Sequence, residues 1–119
     1  MAVSREQYNK VVSKLRAALA KPKDEFMRDA VTQRFEFCVD LAWKLSRKLM
    51  GTSSTAPKEV VREMAQNGLI DDVHFWLESI DMRNLSSHTY NEDLAEKVYG
   101  FAARFLIELE KLETKLQSK

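Results

Sequence analysis

A chain of 119 residues, 45% of them hydrophobic, can bury one sizeable core and is close to the usual size of one domain, so residues 1–119 are expected to form a single domain. Nineteen Lys and Arg against eighteen Asp and Glu leave a formal charge of +1; this excludes an overall field drawing the protein to nucleic acid or anionic membrane, so any phosphate contact must come from a local site. One cysteine excludes an internal disulfide, and with neither a signal peptide nor an apolar run of bilayer length the expectation is a soluble, cytoplasmic protein with no membrane contact.

Only three Gly and two Pro are present, and Val, Ile and Thr never gather in period-2 runs, so the chain reads as all-α. The first helical signal is "SREQYNKVVSKLRAALA", where Ser4 and Gln7 fit a capping box and Tyr8, Val12, Leu15 and Leu19 form an apolar stripe ending near Lys21 and Pro22. Asp24 caps a longer helix from about residue 25 to residue 50, with Val31, Phe35, Cys38, Leu41, Ala42, Leu45 and Leu49 at helical spacing and Gly51 as its stop. After the loop "GTSSTA", Pro57 suits the first turn of a short helix that ends at Asn67 and Gly68. Asp71 or Asp72 caps a fourth helix carrying Phe75, Trp76, Ile80 and Met82. In the last helix Leu94, Val98, Phe101, Phe105, Leu109, Leu112 and Leu116 recur at steps of three and four, the strongest periodic signal in the chain. Four long amphipathic helices and one short one predict an antiparallel four-helix up-and-down bundle with an additional short helix.

Between the fourth and last helices lies "MRNLSSHTYNED". Arg83 and His88 would point about 140° apart on one continuous helix, so a shared site needs a helix that ends between them. Asn84, Ser86, Ser87, Thr89 and Asn91 favour such an end, because their side chains bond local backbone. Either Thr89 with Glu92 or Asn91 alone can cap the next helix. That helix start turns free N–H groups and a positive dipole end toward His88, an arrangement suited to phosphate. Arg83 adds a fork of donors, His88 a proton donor or acceptor near neutral pH, and Tyr90 a phenol. Such groups can hold an RNA phosphodiester, help a 2′-hydroxyl attack it and protonate the leaving oxygen without a metal. The same spacing also arises by chance, and a histidine at a helix start can simply bond a nearby carbonyl.

"RNLSSHTY" resembles the Arg-x4-His-x-Tyr motif of HEPN domains, in the branch described as nucleotidyltransferase substrate-binding-like proteins. "QRFEFCVDLAWKL" and "NGLIDDVHFWLESIDMRN" resemble that branch's second helix and its approach to the motif, and the likeness covers roughly residues 8 to 117. The resemblance implies a HEPN-like toxin of a toxin–antitoxin pair: a metal-independent endoribonuclease in which Arg83 grips the scissile phosphate, His88 takes part in proton transfer or 2′-hydroxyl activation, and Asn84 orients substrate. It also implies a homodimer with two motifs facing one cleft, which would double a modest positive charge, and a partner minimal nucleotidyltransferase that adds adenylate to Tyr90. No metal or other cofactor is expected. The alternative the resemblance leaves open is a noncatalytic substrate-binding subunit of a two-component nucleotidyltransferase. A third is a structural helical partner whose last helix makes a coiled-coil-like contact.

Glu36, Asp40 and Lys44 share one polar stripe of the second helix. They read either as a solvated face with Asp40 paired to Lys44, or as support in which Glu36 or Asp40 turns toward Arg83 or His88, which the resemblance favours. Cys38 reads as a small buried hydrophobe, because no neighbouring cation would lower its pKa, and His74 lacks the partners of a metal site. Trp43 and Trp76 read as core or interface anchors, with Trp43 off the main stripe. Gly100 interrupts the last helix and predicts close approach of another helix, in the dimer if not in the chain, or else a local irregularity. The terminal "ELEKLETKLQSK" is expected either to extend past the bundle to a partner or to fray.

Overall fold

The computed structural model describes residues 3–118. Five helices follow in order: α1 (Arg5–Leu19), α2 (Glu25–Met50), α3 (Pro57–Gln66), α4 (Val73–Leu85) and α5 (Glu92–Gln117), with a 3₁₀ turn over Ser86–His88 between the last two. Local chemistry sets nearly every boundary. Ser4 and Gln7 close a reciprocal capping box at the start of α1. Asp24 accepts from the Met27 amide at 2.7 Å, and Gly51 takes the left-handed conformation that stops α2 (φ 68°). Of the two candidate aspartates it is Asp72 that caps α4, accepting from Phe75 N at 3.0 Å. At α5 the cap is Asn91, whose side-chain oxygen accepts from Leu94 N at 3.2 Å. The Thr89 hydroxyl instead donates back to the Ser86 carbonyl, so Thr89 and Glu92 form no capping box.

α1, α2, α4 and α5 are the long members of the expected up-and-down bundle, and α3 is the additional short helix. Their apolar stripes meet in one cluster to which every helix contributes. At its centre Phe105 packs against Phe35, Phe75, Trp76 and Phe101, with centroids 6.4, 5.0, 4.7 and 5.3 Å away. The stripe of α5 from Val98 to Leu116 is buried throughout, whereas Leu41 and Leu49 of α2 are only partly covered and Val39 lies inside. Tyr8, fully buried, donates its hydroxyl to the Leu109 carbonyl at 2.8 Å. Cys38 is the small core residue its neighbours suggested. Its thiol contacts the Val11 carbonyl at 3.3 Å, and burial pushes its pKa up to about 12.

One expectation is narrowed and one is corrected. A side chain at Gly100 would meet nothing within 4 Å, so among the described residues no helix approaches it, which leaves the dimer or a local irregularity as its reason. The end of α5 neither frays nor projects beyond the bundle: Leu112 and Leu116 are buried, and the Leu116 carbonyl accepts from Arg5 Nε at 2.8 Å. Among the described residues no helix is long and apolar enough to cross a membrane.

Candidate functional site

α4 ends at Leu85, between Arg83 and His88, as the spacing required. Arg83 leaves its last turn, and the 3₁₀ turn and Asn91 cap then carry His88 and Tyr90 round to the start of α5. The Asn91 amide donates to the His88 carbonyl at 3.2 Å, which tightens this corner.

The carboxylates of α2 face Arg83. Asp40 and Arg83 form a bidentate pair, Nε to Oδ1 at 2.8 Å and Nη2 to Oδ2 at 3.0 Å. Glu36, one turn earlier, has its Oε2 3.5 Å from Nη1. Asp40 therefore does not pair with Lys44 in a merely solvated face; the planar fork of Arg83 offers it two parallel hydrogen bonds, which an ammonium cannot. This bonding to Asp40 raises the guanidinium pKa and keeps it charged. Because Asp40 occupies the Nε–Nη2 edge, the second Nη2 hydrogen remains for another oxyanion, and at Nη1 such an oxyanion shares the guanidinium with Glu36.

Ser86, which fills a variable position of the motif, has a role the sequence did not disclose. Its hydroxyl lies 2.7 Å from Glu36 Oε2 and is itself buried. It joins the 3₁₀ turn to α2 and gives Glu36 a partner other than Arg83. A second unforeseen tie holds the far side of the corner: Arg28 of α2, 7% exposed, donates to Glu92 at 2.7 Å and Glu96 at 3.0 Å. Lys23 also bonds Glu96. Neither tie has a local signal, since the partners lie 50, 64 and 68 residues apart.

His88 and Tyr90 are exposed, Tyr90 by 85%, with ring centroids 6.1 Å apart in an edge arrangement. Neither ring makes a hydrogen bond to another described residue, so both present free polar atoms to solvent. Asn84 is exposed, and its side-chain amide is likewise unpaired among the described residues. The α5 start is a weaker anion site than expected, because Glu92 and Asp93 already complement its dipole from the first turn. Nor does positive charge accumulate, since one guanidinium is faced by two carboxylates.

An all-helical bundle bearing Arg83, His88 and Tyr90 on the corner between its last two long helices is a HEPN-like domain. The chain belongs to the family described as nucleotidyltransferase substrate binding protein like, which it matches over residues 4–118. It is similar to a probable ribonuclease HepT of Haemophilus influenzae, 34% identical over 84 residues that cover 64% of this chain and 58% of that protein. The match thus spans little more than half the relative's length. Among solved structures, a Thermus thermophilus protein aligns with a TM-score of 0.83 at 29% identity, covering 92% of this chain and 98% of its own. A solved structure from Haemophilus influenzae, described as revealing the fold of a substrate binding domain of a nucleotidyltransferase, aligns with a TM-score of 0.86 at 25% identity, covering 96% of this chain and 99% of its own.

Proposed function

We propose that this protein is a metal-independent endoribonuclease of the toxin type, acting as a homodimer and controlled by a partner minimal nucleotidyltransferase. The observation that carries the reading is the Asp40-anchored guanidinium of Arg83, with a donor to spare, on the same helix corner as an unpaired His88. Arg83 binds a nonbridging oxygen of the scissile phosphate and offsets the charge that builds up there. His88 serves proton transfer as the ribose 2′-oxygen attacks phosphorus: the 2′-hydroxyl loses its proton, the bond to the 5′-oxygen breaks, and that oxygen leaves protonated. The products carry a 2′,3′-cyclic phosphate and a 5′-hydroxyl. Asn84 orients the substrate, and Glu36 and Asp40 support Arg83.

Tyr90 is the acceptor for adenylate. On a residue 85% exposed, its unpaired hydroxyl suits in-line attack on the α-phosphorus of ATP, in which the phenol loses its proton, the α–β phosphoanhydride bond breaks and pyrophosphate leaves, and the added charge and bulk would block the corner. Phe37, next to Glu36 on α2 and 40% exposed, is an apolar anchor available to a second copy. Sedimentation of the wild type and Phe37→Glu tests the homodimer.

The test of activity is cleavage of mixed cellular RNA in EDTA by the wild type, Arg83→Ala and His88→Ala, with the new 3′ ends identified. Cyclic phosphate ends that vanish in both variants support the reading; a folded wild type that cuts no RNA overturns it. One observation favours the second reading, a noncatalytic substrate-binding subunit of a nucleotidyltransferase: the two carboxylates beside Arg83 leave the site without net positive charge. In that reading Tyr90 is still modified or presented, and RNA survives.

A further inference from the structure

Beside the motif, α2, the start of α3 and the end of α4 enclose an open cleft of about 420 Å³ lined by Trp43, Lys44, Pro57, Ile80, Arg83 and Asn84. Its walls follow from helical spacing: Asp40, Trp43 and Lys44 share one face of α2, and Ile80, Arg83 and Asn84 one face of α4. Trp43 is only partly buried, and the exposed Lys44 ammonium rests over its ring, 5.7 Å from the centroid. Lys44 is in none of the ion pairs formed among the described residues, so it is free to move. The unpaired amide of Asn84 borders the same space.

We propose that this cleft is a nucleobase subsite, in which the base next to the scissile phosphate of single-stranded RNA stacks on Trp43 while the Asn84 amide meets the base edge. Lys44 swings from the indole face to a neighbouring phosphate. The proposal rests on the ribonuclease reading. Three features favour a nucleotide over an apolar peptide: an aromatic platform capped by a movable cation, a polar amide at the rim, and direct continuity with Arg83, the proposed ligand of the phosphate esterified to the same nucleoside's ribose. Stacking tolerates any base, so the subsite adds affinity without demanding a sequence.

The test uses a short RNA cut at one position, prepared with an abasic ribose on either side of the cut. Loss of the stacked base is expected to raise KM roughly 5- to 150-fold at one of the two flanks. Trp43→Leu should raise KM similarly for the intact RNA and remove the sensitivity to the abasic ribose. Asn84→Ala, at an exposed position, should raise KM less. With two tryptophans in the chain and Trp76 only 1% exposed, quenching of fluorescence by the 2′-deoxy, uncleavable analogue reads Trp43 directly. If neither abasic substrate differs from the parent, or if Trp43→Leu keeps the sensitivity, the subsite is overturned while the nuclease stands. A fall in oligomeric mass in Trp43→Leu also overturns it, by assigning the indole to a protein interface. If no RNA is cut yet single-stranded RNA quenches Trp43 saturably, the subsite stands and catalysis falls; with neither cleavage nor quenching both fall.

Discussion

Replacing Asp40 by Ala tests whether the carboxylate positions Arg83 or competes with RNA for it. The pair makes two hydrogen bonds, at 2.8 and 3.0 Å, between side chains that are 30% exposed for Arg83 and 25% for Asp40. A hydrogen bond to a charged group contributes about 1.5–3 kcal/mol when well buried, and a fully exposed ion pair about 0.2–1 kcal/mol. Partial exposure discounts the first figure and bidentate geometry raises the second, so a coupling of about 1–2 kcal/mol is expected. A double-mutant cycle of Asp40→Ala and Arg83→Ala, followed by urea unfolding, resolves this, since independent sites add to within about 0.3–0.5 kcal/mol.

Activity then decides the role. Without Asp40 the guanidinium loses its anchored edge, and a displacement on the order of 1 Å can lower the rate about 100-fold. Asp40→Ala should therefore lower kcat by roughly 10- to 100-fold, and Asp40→Asn, which retains one acceptor, by less. A coupling below about 0.5 kcal/mol would refute the energetic argument. Cleavage that is unchanged in Asp40→Ala would refute positioning, and cleavage that increases would show Asp40 to be a competitor of the phosphate.

Gly100→Ala should stabilise the protein by about 1 kcal/mol, raising Tm by a few degrees in calorimetry, because the added methyl meets nothing within 4 Å; a fall in Tm would reveal a second copy packed on that face. Phe105→Ala, at the centre of the aromatic cluster, should cost about 3–5 kcal/mol in denaturant unfolding, and a loss below about 1 kcal/mol would refute the packing assigned to it. Hydrogen bonds from Lys23 and then Arg28 lower the pKa of Glu96, so its contribution to stability is present above the ordinary carboxylate pKa and is lost as pH falls through the lower folded value. The Tm gap between the wild type and Glu96→Gln should accordingly hold at neutral pH and close only in acid; a gap that widens toward acid would contradict the sign.

What the sequence made legible was local. Ser4, Asp24 and Gly51 act on amides and carbonyls within four residues, so their helix ends could be located from residue type alone. The break between Arg83 and His88 was legible for the same reason. Asp40 had a local partner in Lys44 and a remote one in Arg83, 43 residues away, and spacing could not rank them. Only the fold brings the remote guanidinium within reach, where two hydrogen bonds prevail over an exposed point charge. Ser86 and Arg28 escaped notice because their partners are set entirely by helix packing. Gly100 was ambiguous for a complementary reason: an absent side chain permits close approach but does not say whether the neighbour belongs to this chain or to another, and among the described residues there is none.

If the protein binds RNA as a dimer, as proposed, the pairing of Arg83 changes the electrostatics of that binding. A second copy brings another Arg83, but with it another Asp40 and Glu36, so dimerisation does not double a positive charge. On the proposed reading, affinity would come largely from contacts independent of net charge, such as the proposed stacking on Trp43, with Lys44 and Arg83 as the cations at hand. Counting two phosphate contacts per protomer, log K should fall with log salt at a slope of about −1.4 for a single strand, or about −2.8 if one RNA crosses both protomers. Anisotropy of a labelled, uncleavable RNA across a salt series measures the slope. A value steeper than about −4 would mean that a basic track beyond Arg83 and Lys44 holds the RNA, and would refute a site that relies chiefly on stacking and geometry.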